Sequence, residues 1–188
     1  MIKAVLDACI LYSAPLRGLL LHLAEVGLFD PFWSEEIQAE WSRNLLKNRP
    51  NLKREKVERT CWKMEFHFPD SLVQGYDPII PKLTLPDPKD RHVLAVAVHA
   101  KAEFVVTFNL KDFPKTVLQP FGIEALSPDE FVFRVVIQER PDRFLWAIQR
   151  HRLSLIHPPK TAVEYIATLE KQKLLKTVAF LQEHEAEI

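Results

Sequence analysis

The feature that most constrains the fold is an alternation of short apolar runs with segments of helical periodicity. Residues 2–6 and 104–107 have the length and composition of buried strands, and two more strands can be placed at residues 29–33 and 123–126. Strands that alternate with helices in this way form a parallel sheet covered on both faces. We therefore expect an α/β, three-layer fold with a central parallel sheet flanked by helices.

Helix-start and helix-stop residues separate these strands. Ser34 occupies an N-cap position before two glutamates, and Pro50 closes the helix that follows. The stretch Asp87-Pro88-Lys89-Asp90 combines an N-cap, a proline at the first helical position and an acid at the third, which predicts another helix start.

Helical periodicity also covers residues 15–26 and residues 53–68. Residues 70–86, in contrast, are rich in proline and turn formers. That stretch has room for at most two short strands, around residues 72–74 and 79–80.

From about residue 134 the pattern is purely helical. A helix opens at Ser127-Pro128-Asp129-Glu130, and proline stops follow at Pro141 and at residues 158–159. We therefore expect an α/β domain over residues 1–133 and a C-terminal helical extension over residues 134–188.

Charge limits the ways in which this chain could bind nucleic acid. The 25 basic and 25 acidic residues give a formal net charge of zero, so the chain lacks the broad positive field of many nucleic-acid-binding proteins. Any such contact must use a local patch. The strongest candidate for such a patch is a basic cluster that consists of Arg43, Lys47, Arg49, Lys53, Arg54 and Lys56. Charge runs of this kind are also typical of a solvated helix face without a binding role.

Several further patterns bear on location and metal type. No stretch is long and apolar enough to be a membrane span, and the N-terminal residues do not resemble a targeting signal. The two cysteines are too few for a disulfide scaffold, so we expect a reduced, cytoplasmic setting. The seven histidines show no HExxH or His-x-His spacing, which disfavours zinc.

Acidic residues from distant segments converge on one edge of the predicted sheet. Asp7 follows the first strand directly, and Asn109 and Asp112 follow the strand at residues 104–107. Helix starts lie at the same edge as the carboxyl ends of parallel strands. The acids at these helix starts are Glu40, Asp87 and Asp90. Clustered carboxylates repel one another, and Mg²⁺ or Mn²⁺ is the kind of cation that relieves this repulsion.

Most of these acids also have a structural explanation. Asp87 is a good N-cap, Asp90 favours the helix dipole, and Asp112 could cap a turn. Asp7 is harder to explain in this way, because a carboxylate directly after a buried strand is costly unless cations or hydrogen-bond donors meet it. Trp33 and Trp41 could stack on a base, but a place in the core is the more common role of such residues.

Three motifs in order resemble those of the PIN-domain nucleases, the family that includes the VapC-type toxins. The first is a strand running into Val5-Leu6-Asp7-Ala8-Cys9-Ile10-Leu11, and the second is the helix Glu36-Ile37-Gln38-Ala39-Glu40-Trp41. The third and most specific is DPKDRHVLAVAVHAKAEFVVTFNLKDFP, residues 87–114. The resemblance covers residues 1–133, and the helical tail is similar to the C-terminal extension of some VapC-like proteins.

The resemblance implies a PIN-like fold and hydrolysis of RNA phosphodiester bonds with one or two Mg²⁺ or Mn²⁺ ions. It implies catalytic and metal-binding roles for Asp7, Glu40, Asp90 and Asp112, with Thr107 and Asp87 in support. Many family members have an acid where this chain has Asn109, so Asn109 could bind the ion through its amide oxygen or Asp112 could replace it. The basic cluster would contact the RNA backbone.

A VapC-type toxin implies a small antitoxin partner that covers the acidic crevice. The helical tail could serve dimerisation, antitoxin contact or substrate selection. Two other classes stay open at this point. One is a PIN-fold binding module whose nuclease site is degenerate, suggested by Asn109. The other is a receiver-like phosphoacceptor domain, disfavoured because Asp7 is followed by Ala8 and Cys9 rather than by a second acid.

Overall fold

A four-stranded parallel sheet forms the centre of the α/β part of the chain. The computed structural model describes residues 1–188. The strands are β1 (Lys3–Leu6), β2 (Asp30–Phe32), β3 (Phe104–Val106) and β4 (Glu124–Leu126), in the order β2-β1-β3-β4. All three pairings are parallel, with Val5 opposite Phe32 on one side and opposite Val105 on the other. The predicted α/β fold with a parallel sheet flanked by helices is confirmed.

The chain divides into two compact units that do not follow one cut in the sequence. The first unit consists of Met1–Tyr12 and Asp30–Leu126, and the second consists of Ser13–Phe29 and Ser127–Ile188. The domain boundary after residue 133 stays a prediction.

The first unit contains the sheet and five helices. These helices are α1 (Ala8–Tyr12), α3 (Glu35–Asn48), α4 (Arg54–His67), α5 (Arg91–Ala100) and α6 (Lys115–Leu118). Helix α5 packs against β1, β2 and β3 and buries residues such as Val93 and Ala97 in this contact. Small and branched side chains allow the helix and the sheet to pack closely. Helix α3 starts as predicted, since the Ser34 hydroxyl accepts a hydrogen bond from the Ile37 amide at 3.2 Å.

The second unit is helical. It contains α2 (Ala14–Glu25), α7 (Pro128–Glu130), which continues into a π-helical segment (Phe131–Ile137), α8 (Pro141–Ser154), α9 (Ala162–Glu170) and α10 (Leu175–Glu183). Helix α2 packs on α8 and α9, and the rings of Phe29 and Phe131 meet edge to face at 5.0 Å. The helical C-terminal part is thus confirmed. None of the chain's helices combines the length and apolar character that spanning a membrane requires.

The predictions differ from the structure in three local segments. Residues 79–80 lie in a 3-10 helix, Asp77–Lys82, and of the other predicted strand only Leu72 makes an isolated bridge, to Trp33. Pro78 and Pro81 explain this outcome, since they have no amide hydrogen to give to a sheet. The predicted helix start at Asp87 is a 3-10 turn, Pro88–Asp90, that leads into α5. Helix α1 was not predicted at all.

Candidate active site

A polar crevice lies where the helices of the first unit meet the carboxyl edge of its sheet. Its volume is about 510 Å³, and α3, the turn before α5, α5 itself and the loop after β3 contribute its walls. The lining residues are Glu36, Glu40, Arg43, Asn44, Asp87, Lys89, Asp90, His92, Asn109 and Asp112. Five of the predicted acidic and amide residues are therefore together, and Asp7 lies close enough for its charge to raise the pKa of Asp90.

Three hydrogen bonds hold the Asp7 carboxylate at the end of β1. Its Oδ1 accepts a hydrogen bond from the Ala8 amide at 2.6 Å. Its Oδ2 accepts one from the Thr107 hydroxyl at 2.6 Å and one from the Cys9 thiol at 3.1 Å. The residue is only 6% exposed, and burial raises the pKa of its carboxyl group although these hydrogen bonds act in the opposite direction.

Thr107 connects Asp7 with the loop that carries Asn109. Its hydroxyl donates to Asp7 and accepts a hydrogen bond from the Asn109 amide at 3.0 Å. Thr107 is completely buried. Its geometry is that of a residue that orients the carboxylate and the strand-end loop, which fits the supporting role that the resemblance implies.

Cys9 is a member of this network that the sequence reasoning missed. Its sulfur accepts a hydrogen bond from the Phe108 amide at 3.4 Å and donates to Asp7. Burial and the charge of Asp7 raise the pKa of the thiol to about 12, so the group stays neutral and able to donate. Cys9 was considered from the sequence only as a disulfide partner or metal ligand, and neither role was indicated. Its position two residues after Asp7 could have indicated a contact with that carboxylate.

Asp90 carries the clearest electrostatic sign of crowding. Burial, followed by the charges of Asp7, Asp87, Asp112 and Glu40, raises the pKa of its carboxyl group to about 6 from 3.8. Asp87 meanwhile caps the turn, with its Oδ1 accepting from the Lys89 amide at 2.9 Å. The structural role considered for Asp87 is therefore present, and the residue also lines the crevice.

Replacing Asp90 by Asn should stabilise the metal-free protein at neutral pH. Because its pKa is raised, the Asp90 carboxyl group holds a proton more tightly in the folded state than in the unfolded state. The contribution of Asp90 to the free energy of unfolding therefore falls as the pH rises from 3.8 to about 6. Asp90→Asn should therefore raise Tm by a few degrees at about pH 7.5 in chelator, and the gain should vanish near pH 4. Thermal unfolding at both pH values measures it, and an equal shift at both would contradict the electrostatic cause.

Glu40 and Glu36 lie on either side of His92. The His92 Nε2 is 3.7 Å from a Glu40 carboxylate oxygen, and its Nδ1 is 3.6 Å from a Glu36 oxygen. The His92 ring lowers the pKa of Glu40. His92 is 5% exposed and its Nδ1 has no hydrogen-bond partner. Neither His92 nor Glu36 was predicted as a site residue, although His92 follows Asp90 by two positions.

The predicted basic cluster is divided by the fold. Arg43 lines the crevice together with Lys89, a cation that was not predicted. Arg54 lies instead in a separate groove between α3 and α4, where it forms an ion pair of 3.9 Å with Glu58. The remaining members, Lys47, Arg49, Lys53 and Lys56, are exposed and do not line the crevice. Trp33 and Trp41 are fully buried, so a core role is the one that the structure supports for both.

The donor atoms around the crevice fit a hard divalent cation in their chemistry. They are carboxylate and amide oxygens, and their mutual repulsion is visible in the raised pKa of Asp90. As the side chains stand, no group of three or more His, Cys, Asp or Glu residues is arranged to hold an ion. The donor set therefore fits such a cation, while the spacing of the side chains does not by itself form a metal site.

Comparison with known proteins identifies the class of this fold and crevice. A family model described as "PIN domain" matches residues 3–111, more than half of the chain, and the chain belongs to that family. A second model, described as "VapC50 C-terminal domain", matches residues 128–183, in agreement with the resemblance of the helical tail. Membership of the PIN family removes the receiver-like alternative.

The chain is also similar to one particular VapC protein. Over 44 residues it is 59% identical to the "Putative ribonuclease VapC50" of Mycobacterium tuberculosis (strain ATCC 25618 / H37Rv). This match covers 23% of the chain and 26% of the relative, about a quarter of each. No solved structure matches the chain.

Proposed function

We propose that this protein is a metal-dependent endoribonuclease that hydrolyses RNA phosphodiester bonds. The observation that carries the proposal is the buried Asp7 carboxylate, fixed by Thr107 and Cys9 beside a crevice that contains four further acids of the predicted site. Keeping one buried carboxylate close to four partly exposed acids is unfavourable for folding, which points to a functional reason for the arrangement. The PIN family and the ribonuclease name of the VapC50 relative agree with this activity.

Asp7, Glu40 and Asp90 would hold Mg²⁺ or Mn²⁺, with Asp112 and Asn109 completing the set of ligands. The bound cation would supply charge neutralisation at the phosphate and activate water as the nucleophile. Thr107 and Cys9 keep Asp7 in one orientation, so that little reorganisation is needed when it acts. His92, whose Nε2 lies 3.7 Å from a Glu40 oxygen, would orient Glu40.

The cations at the crevice would bind the phosphate groups of the substrate. Arg43 and Lys89 line the same walls as the acids, so a phosphate could meet both kinds of charge in one place. The chain has no net charge, and a substrate would therefore be attracted by these local groups rather than by a long-range field.

Cleavage of a structured RNA mixture by the purified protein tests the proposal. We expect cutting with added Mg²⁺ or Mn²⁺, no cutting in chelator, and loss of the activity in Asp90→Asn. Chelator-resistant cutting at the wild-type level would contradict the metal requirement. No cutting in any condition, together with no heat of metal binding, would favour the degenerate binding module that Asn109 suggests.

The same resemblance supports a toxin of a type II toxin–antitoxin pair, acting in the cytoplasm. A small antitoxin protein would then cover the acidic crevice, and a homodimer is a form in which such proteins can act. Co-expression tests the pairing: an adjacent small gene product should co-purify with the protein and suppress its RNA cleavage. A co-purified partner that leaves cleavage unchanged would contradict it.

A further inference from the structure

Helix α4 exposes two stacked aromatic side chains. Trp62 is 58% exposed and Phe66 is 66% exposed, and their ring centroids lie 5.1 Å apart at an interplanar angle of 22°. The buried side of the helix is occupied by Val57 and Met64 instead. An amphipathic helix normally turns such large rings inward, so the outward position of this aromatic pair, Trp62 and Phe66, requires an explanation.

One member of the aromatic pair, Trp62, lines a groove next to the acidic crevice. The groove has a volume of about 310 Å³, and its walls include Trp62 and the two acids Glu58 and Glu65 of α4, together with Ser42 of α3. The next residue after Ser42, Arg43, lines the crevice. Helix α3 therefore has the groove on one side and the crevice on another, all within the first unit.

Three cations run along α4 beside the aromatic pair. Lys56, Arg59 and Lys63 are exposed, and their spacing of three and four residues puts them on one side of the helix. Arg59 precedes Trp62 by three positions and Lys63 precedes Phe66 by three, so each aromatic ring has a cation as its neighbour. These three residues form a basic stripe (Lys56, Arg59 and Lys63). The ion pair within this helix joins Arg54 and Glu58 and does not involve the stripe, whose charges can therefore contact a ligand.

We propose that the aromatic pair and the basic stripe bind single-stranded RNA and lead it past α3 to the crevice. Exposed aromatic faces stack with unpaired bases, and an adjacent row of cations follows the phosphate backbone. The row of cations favours RNA over an apolar protein segment, which would leave these charges without partners. This inference rests on the proposed nuclease activity and adds a substrate-binding surface that shares only Lys56 with the predicted basic cluster.

Binding of a labelled single-stranded RNA in chelator tests the surface without any cleavage. Trp62→Ala and Phe66→Ala should each weaken the affinity about tenfold or more, whereas Trp62→Phe should keep most of it, because a phenyl ring still stacks. Trp146→Ala is a matched control: Trp146 is a 47% exposed tryptophan on α8 of the second unit, and its loss should leave the affinity unchanged.

The salt dependence separates the stacking from the charge contribution. Replacing all three residues of the basic stripe by Ala should reduce the slope of log affinity against log salt by about 2, since each phosphate contact contributes about 0.7 for single strands. The two aromatic variants should weaken binding without changing this slope. Circular dichroism checks that every variant is folded.

Three results would overturn the proposal. They are unchanged affinity in both aromatic alanine variants, absence of RNA binding by the wild type, and a Trp62→Ala variant that changes from dimer to monomer with its RNA affinity intact. Failure of the nuclease assignment looks different, because a protein without activity in Mn²⁺ would still bind RNA through the aromatic pair.

Discussion

Asp7→Asn should reduce metal-dependent RNA cleavage by at least about 100-fold while leaving the fold intact. The substitution keeps the shape of the side chain, and its remaining oxygen can still accept the hydrogen bond from the Ala8 amide. It removes the negative charge that a divalent cation requires. Because burial already disfavours the ionised form of Asp7, the variant should unfold at the wild-type temperature or above it.

The measurement is the initial rate of RNA cleavage in Mn²⁺, with Tm recorded for the same samples. Asp70→Asn is the matched control, because Asp70 is an exposed acid of the first unit outside the crevice lining, and its cleavage rate should equal that of the wild type. An Asp7→Asn protein with full metal-dependent activity would show that the assignment of the acidic centre is wrong. A variant that loses activity by unfolding would show this in its Tm.

Asp129→Ala should lower the free energy of unfolding by about 2–4 kcal/mol. The Asp129 carboxylate accepts hydrogen bonds from the Lys176 amide at 2.8 Å, the Thr177 amide at 3.0 Å and the Thr177 hydroxyl at 2.9 Å. It thus caps α10 from a distant part of the sequence. The residue before that helix, Leu174, has no side chain that could do so.

Loss of this cap would leave the fully buried Thr177 without its acceptor, which adds to the cost. Denaturant unfolding measures the total effect, and hydrogen exchange should show faster exchange of the first amides of α10. Asp129→Asn keeps one acceptor oxygen and should lose less. Asp142→Ala, at an exposed acid in the first turn of α8, should change stability by no more than about 0.5 kcal/mol.

The convergence of the acids could be predicted because it follows from the geometry of a parallel sheet. Asp7 and Asn109 both come after strands, and Asp90 opens a helix, so one edge had to bring them near each other. The neighbours that adjust these acids could not be found in this way. His92 and Cys9 act through hydrogen-bond and charge contacts that depend on side-chain positions, which hydrophobic periodicity does not report.

The packing of the helices against one another could not be predicted from the sequence pattern. Periodicity found α2 and the helices of the C-terminal part separately, but it carries no information on which helices pack together. The second unit joins residues 13–29 with residues 127–188, through contacts such as the stacked rings of His22 and His151 at 5.1 Å. The role of Asp129 was missed for this reason, since its partners Lys176 and Thr177 lie 47 and 48 positions further along the chain.

In the proposed function, the crevice beside Asp7 binds the divalent cation on which cleavage depends. Calorimetric titration of Mn²⁺ into the metal-free protein at about pH 7.5 tests it most directly. We predict saturable binding of about one or two ions to the wild type, and loss of that binding when Asp7 and Asp90 are both replaced by Asn. Absence of saturable binding to the wild type, or equal binding to the double variant, would contradict the account.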